Sequence, residues 1–286
     1  MKILITGAKG MLAQAVKEKF ENGNELVLTD VENLDITNEQ AVKDFVASVK
    51  PDCIINCAAY TAVDKAEENE ELAERINADG PKNLAVAAKE NDAILVHIST
   101  DYVFPGDLDI DKAYIEVDAT GPVTAYGRTK LHGEQAVINN CDKYYIFRIA
   151  WLYGEGKNFV RTMLSLSETR DELSVVCDQH GSPTYTEDVT SIIYQAIEKK
   201  IPFGLYHATN QGFTTWSEFT KKIFELSNVS TKVNPITSEE YSKMYPTSAN
   251  RPKNSKLSKD KLLSTGIQVQ NWEDALERYL RKEGRI

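Results

Sequence analysis

Apolar and polar positions change period repeatedly along the first half of the chain. Lys2–Thr6 is a short apolar run of strand length, Met11–Phe20 has its apolar residues at helical spacing, and Glu25–Asp30 reads as a strand again. The spacing then predicts a helix over Glu39–Val49, a strand over Cys53–Cys57 and a long Ala-rich helix over Glu70–Lys89. A strand over Ala93–Ser99, a helix over Ala125–Ile138 and a fifth strand over Tyr144–Ile149 complete the series. Strands that alternate with helices pair in parallel, with helices covering both faces. Right-handed crossovers make such a sheet doubly wound, so the fold class expected is α/β with a Rossmann-type parallel sheet.

Beyond Trp151 the pattern loosens. Helices are expected near Phe159–Glu168, Glu187–Lys199, Trp216–Leu226 and Trp272–Lys282, and short strands near Leu173–Cys177 and Leu205–Ala208. Pro and Ser gather between Pro235 and Ser258. We expect a dinucleotide-binding domain over 1–150. A smaller, partly interleaved region over 151–286 would mainly bind substrate. The length of 286 residues suits one large domain or two small ones.

Composition narrows the partners. With 42% apolar and 27% charged residues the chain reads as globular. A net charge of −10 argues against broad binding to nucleic acid or to an anionic membrane. No stretch resembles a membrane span or a signal peptide, so a cytoplasmic protein is expected. The four cysteines form no C-x-x-C and have no paired histidines, which speaks against zinc and for reduced thiols. His97, His132, His180 and His207 are scattered and read as structural.

The candidate chemistry begins where the first strand ends. T-G-A-K-G-M-L-A supplies Gly7 for a tight turn, Gly10 for close approach to a pyrophosphate, and Ala13 for close packing of helix on sheet. Gly10, Met11 and Leu12 fall at a helix N-terminus, where free N–H groups favour phosphate. Asp30 ends the second predicted strand, 20 residues after Gly10, and suits a ribose 2′-hydroxyl. That favours NADH mildly over NADPH; either is a possible cofactor. Asp35 and Ile36 are placed over the adenine, and Ala58, Ala59 and Tyr60 beside the cofactor at the end of the third strand. A tight turn packed by Ala58 and Ala59 would look the same.

The fourth strand ends in S-T-D-Y-V-F, which brings Thr100 to the crevice. Tyr126 and Lys130 stand at i and i+4 in T-A-Y-G-R-T-K and share one helix face. A cation near a phenol lowers its pKa, making it a usable acid or base for carbonyl chemistry. Thr100, Tyr126 and Lys130 are the catalytic candidates. Lys130 would hold the nicotinamide ribose, Tyr126 would protonate a carbonyl oxygen as hydride reaches the carbon, and Thr100 would bond the same oxygen.

Several longer motifs run in order: N-C-A-A-Y-T-A-V-D-K-A-E, S-T-D-Y-V-F-P-G, Y-G-x-T-K, F-R-I-A-W-L-Y-G, D-Q-x-G-S-P-T and R-P-x-N-S-x-L. Together they resemble the extended short-chain dehydrogenase/reductase superfamily, and within it the dTDP-4-dehydrorhamnose reductase family. The resemblance covers nearly the whole chain. It implies NADH- or NADPH-dependent reduction of the C4 ketone of a nucleotide-sugar substrate, dTDP-4-dehydro-L-rhamnose. It also implies sugar contacts from Asp101 and Trp151, and a substrate-nucleotide contact from Arg251. By residue type alone, Trp151 could equally be core and Arg251 a surface turn. Ala15 stands where some members carry a Glu tied to a magnesium-bridged dimer, so no metal is expected and a monomer or a homodimer stays open. Two other functions share the fold. Dehydratases of the superfamily follow the Thr with Asp-Glu, whereas Tyr102 follows Asp101 here; epimerases are the related alternative. A non-catalytic regulatory subunit of methionine adenosyltransferase is the third reading, which the intact Thr100, Tyr126 and Lys130 disfavour.

Overall fold

The computed structural model describes residues 1–286. Six strands make one sheet: β1 (Lys2–Thr6), β2 (Glu25–Leu28), β3 (Cys53–Asn56), β4 (Ile94–Thr100), β5 (Tyr144–Ile149) and β6 (Gly204–His207). Every neighbouring pair is parallel, in the order β2-β1-β3-β4-β5-β6. This is the α/β doubly wound architecture expected. β1 shows why its sequence is continuously apolar. Ile3 and Ile5 face one core with Val16, Ile192 and Ile193, while Leu4 faces another with Val42 and Leu84. A strand buried on both faces has no polar side to alternate with.

Helix α1 (Met11–Phe20) and the helix Thr186–Lys199 cover one face. α2 (Glu39–Val49), α3 (Gly80–Glu90) and α4 (Ala125–Asn140) cover the other. β1 pairs with β2 on one side and β3 on the other, so the chain reverses direction there. In such sheets a crevice opens at the carboxyl ends of the two central strands. Residues 186–207 return to this sheet from the second half of the chain, adding β6 beside β5.

The predicted helix over Glu70–Lys89 is interrupted. Glu70–Glu74 is α-helical, Arg75–Asp79 is a π-helical turn, and α3 follows. Pro81 has no N–H to give the Asn77 carbonyl, so the regular ladder cannot pass this point. The freed geometry is used. The Asn77 side chain accepts from Tyr60 N at 2.8 Å and donates to Tyr60 O and to Thr129 Oγ1, each at 3.1 Å. The π-turn therefore ties the β3 exit to α4. Gly133 on α4 permits the contact, since a Cβ there would lie 2.1 Å from the Asn77 carbonyl oxygen. Gly133→Ala is expected to lower stability by about 1–3 kcal/mol through overpacking against backbone, read by denaturant unfolding.

The smaller region packs helices Phe159–Ser167, Trp216–Leu226 and Trp272–Lys282 around Tyr153, Tyr185, Phe219 and Tyr279. A strand Glu172–Val176 pairs in parallel with Lys232–Ile236. The second of these was not anticipated, because K-V-N-P-I carries a proline; on a two-stranded edge Pro235 is tolerated. The helix Ser238–Met244 was also missed, although T-S-E-E spells the capping box that Thr237 and Glu240 form. No helix is long and apolar enough to cross a membrane.

Candidate active site

The crevice between β1 and β3 is a cleft in two adjoining parts, of ≈ 420 Å³ and ≈ 470 Å³, which share Gly10, Cys57, Ala58 and Ala59. Gly7 takes φ +63, and a Cβ there would lie 2.7 Å from the Ala58 backbone. Only glycine meets both demands. Gly10 caps α1 without a side-chain hydrogen bond, which leaves the first N–H groups of the helix facing the cleft. Met11 and Leu12 line the inner part.

Asp30, Asp35 and Ile36 line the outer part. Asp30 lies two residues past the end of β2 rather than on it. Its Oδ2 accepts from Lys9 N at 3.0 Å and its Oδ1 from Val31 N at 2.9 Å. The Lys9 N–H, with a smaller part from that of Val31, holds this carboxyl below its usual value. Lys9 itself pairs with Glu32. Tyr60 follows Ala59 at the edge of the cleft. Its ring packs with Ala66, Ala73, Ala125 and Tyr126, and Asn77 holds its backbone at both the N–H and the carbonyl.

The inner part collects Thr100, Asp101, Tyr126, Lys130 and Trp151. β4 delivers Thr100 as its last residue, and α4 delivers Tyr126 and Lys130 one turn apart. α4 starts cleanly because Thr124 accepts from Gly127 N at 3.0 Å. Burial pushes the Tyr126 phenol up to about 12, with the Thr100 hydroxyl pulling the other way. The sequence reading had Lys130 lowering it. Instead the Lys130 ammonium, 2% exposed, donates to the Ile98 carbonyl at 2.6 Å, and desolvation lowers its own pKa to about 8. Burial sets the direction, and Tyr126 stands ready as an acid, not a base.

Behind these groups lies a closed polar layer. Glu134, one turn beyond Lys130, accepts two bonds from Arg148 at 2.8 and 2.7 Å and one from Ser99 Oγ at 2.5 Å. Asn56 joins Thr6 at 2.6 Å, His97 Nδ1 at 3.1 Å and Ala58 N at 3.1 Å. Cys57, just past the end of β3, also faces the cleft; burial raises its thiol to about 12 and keeps it protonated.

Trp151 adopts φ +49, a conformation that strains a bulky residue by about 1–3 kcal/mol. The strain is held by packing: its ring stacks on Trp216 at 3.8 Å, and Gly181 leaves room beneath it. Trp216 in turn lines a second, largely apolar pocket of ≈ 610 Å³ together with Phe159, Val176, Tyr241 and Arg251. Trp151 thus stands between the catalytic cleft and this pocket. Arg251 lines the pocket and not the inner cleft; its Nη2 contacts Asp64 at 3.2 and 3.3 Å. No group of three or more His, Cys, Asp or Glu side chains is arranged to hold a metal ion.

Comparison with known proteins identifies the family and the fold. The family model described as "RmlD substrate binding domain" matches residues 1–284. The chain is 39% identical to the dTDP-4-dehydrorhamnose reductase of Salmonella typhimurium, over 98% of this chain and 97% of that one. A solved dTDP-4-dehydrorhamnose reductase from Clostridium acetobutylicum superposes with a TM-score of 0.94 at 46% identity, covering 99% of this chain and 100% of that one. Another from Bacillus anthracis, solved in complex with NADP, gives 0.93 at 42% identity, with coverage of 98% and 99%.

Proposed function

The chain belongs to the RmlD-type family of dTDP-4-dehydrorhamnose reductases, and we propose from that membership that it reduces the C4 ketone of dTDP-4-dehydro-L-rhamnose to dTDP-L-rhamnose with NADH or NADPH. The observation that carries this reading is a single cleft. Gly10, Met11 and Leu12 at a helix N-terminus share it with Thr100, Tyr126 and Lys130.

A dinucleotide fits the residues present. The backbone cradle at Gly7, which any Cβ would fill, and the unpaired N–H groups of α1 suit a pyrophosphate. Asp30, Asp35 and Ile36 would hold the adenosine half, and Ala58 and Ala59 leave space beside it. When bound, a reduced nicotinamide supplies the hydride. Tyr126, kept protonated by burial, gives its proton to the ketone oxygen. Thr100 hydrogen-bonds the same oxygen, and Lys130 stabilises the phenolate that forms. Asp101 and Trp151 border the sugar. The apolar pocket beyond Trp151 takes the nucleoside, and the guanidinium of Arg251 sits at its edge to meet the diphosphate.

We further divide the chain into a dinucleotide-binding part over 1–150 and a mainly substrate-binding part over 151–286, with 186–207 returned to the first. A cytoplasmic location and a monomer or homodimer complete the proposal. The test is loss of nicotinamide absorbance on mixing protein, reduced cofactor and the keto-sugar; no turnover with either cofactor sinks it. Asp30→Ala is expected to weaken NADH more than NADPH, because the carboxylate suits a free 2′-hydroxyl and repels a 2′-phosphate. Titration by cofactor fluorescence measures both, and an equal loss contradicts the ribose role.

A further inference from the structure

Thr100 has one hydrogen to give, and the structure already commits it. A hydroxyl donates once and accepts twice. Thr100 Oγ1 accepts from Tyr102 N at 3.2 Å and donates to Asp101 Oδ1 at 3.0 Å. While Asp101 is ionised, the Thr100 hydrogen stays on the carboxylate and none remains for a ketone oxygen. Asp101 is 3% exposed, and its Oδ2 is buried with no partner. The charged groups nearby leave it uncompensated: Lys130 is spent on the Ile98 carbonyl, Arg251 on Asp64, and Lys157 stands on the exposed cleft wall. Tyr102 on its own turn and Tyr126 on α4 are neutral phenols at ordinary pH, both raised by burial.

We propose that Asp101 works as a neutral carboxylic acid that donates to Thr100 Oγ1 and so frees the Thr100 hydrogen for the ketone oxygen of the substrate. It is a positioning residue, acting through Thr100, and the inference rests on the reductase reading. A carboxylate buried without a counter-charge is costly, and a proton on Oδ1 removes the charge. Burial pushes the Asp101 carboxyl up to about 6, against smaller pulls from the Ser255 and Thr100 hydroxyls and from the N–H groups of Asp101 and Tyr102. An anionic diphosphate bound nearby would push it further in the same direction. The protonated form is the active one, so turnover holds below the Asp101 pKa and falls as pH rises through it.

The test compares pH profiles of turnover for the parent, Asp101→Asn and Asp101→Ala. The Asn amide is a permanent donor to Thr100. Its profile should lose the limb that begins near Asp101's titration and keep only a higher one from Lys130 near about 8. Asp101→Ala also frees the Thr100 hydrogen but leaves that hydroxyl with no donor to orient it, so it should lose the same limb and turn over about tenfold more slowly than Asp101→Asn, as a misoriented group does. Profiles of parent and Asp101→Asn that superimpose, or an Asn variant as impaired as Ala at every pH, overturn the proposal. A second readout needs no substrate. In protein labelled with ¹³C-aspartate, the Asp101 carboxyl carbon, assigned by its loss in Asp101→Asn, should titrate near about 6. Titration near the ordinary 3.8 overturns the proposal by itself. A parent with no turnover strikes the reductase reading instead, and the carboxyl titration then decides this one.

Discussion

Tyr126→Phe lowers turnover about a thousandfold, within the 10²–10⁴ range for removing a positioned general acid, while dinucleotide binding stays near that of the parent. The variant keeps the ring, its edge-to-face contact with Tyr102 at 5.4 Å and its place on α4, and removes only the hydroxyl. The loss should fall on kcat. The phenol acts when the alkoxide forms and has little to give the ground state. Binding of reduced cofactor followed by fluorescence, with turnover followed by absorbance, separates the two effects. Turnover within a few-fold of the parent would mean that another group protonates the oxygen. Lys130, already bonded to Ile98, is not free to replace it as the structure stands.

Glu134→Ala is the substitution expected to cost the most stability. Arg148 and Glu134 are 4% and 2% exposed and meet through two bonds, with Arg148 also lying 4.8 Å from the centre of the Phe104 ring. Removing the carboxylate leaves a guanidinium buried without its counter-charge, and strips Ser99 of its acceptor. Breaking one side of a buried pair costs about 3–5 kcal/mol. In a chain of this size that lowers Tm by on the order of 10 °C. Glu134→Leu combined with Arg148→Met should recover much of the loss, because the desolvation penalty disappears with the charges. Thermal and denaturant unfolding of the single and double variants check this. A single variant that loses less than about 1 kcal/mol, as exposed pairs do, would contradict the importance given to the layer behind Lys130.

Much of the cleft was readable in the chain because it rests on local rules. Gly7 and Gly10 sit between an apolar strand and an amphipathic helix, and that local context is enough to place them at the crevice. Tyr126 and Lys130 share a face because helical spacing requires it. What escaped the sequence depends on contacts between distant segments. The clamp on the Tyr60 backbone comes from Asn77 in the π-turn, seventeen positions away, which no local pattern around Ala58 and Ala59 contains. The direction of the Tyr126 shift depends on burial and on what Lys130 touches, neither of which a four-residue spacing contains. The apolar pocket draws on Phe159, Val176, Trp216, Tyr241 and Arg251, spread over almost a hundred positions, so no window of sequence could reveal it. The left-handed backbone of Trp151 likewise follows from the Trp216 stack and the space over Gly181.

The most direct measurement follows the hydride itself. Purified protein is mixed with dTDP-4-dehydro-L-rhamnose and nicotinamide cofactor deuterated at the transferable position, and the sugar is read by NMR and mass spectrometry. The expected result is dTDP-L-rhamnose with one deuterium at C4 for each cofactor oxidised, lost together with turnover in Tyr126→Phe. Unlabelled product, label at another carbon, or no oxidation of NADH or NADPH would contradict a C4 ketoreductase in this cleft.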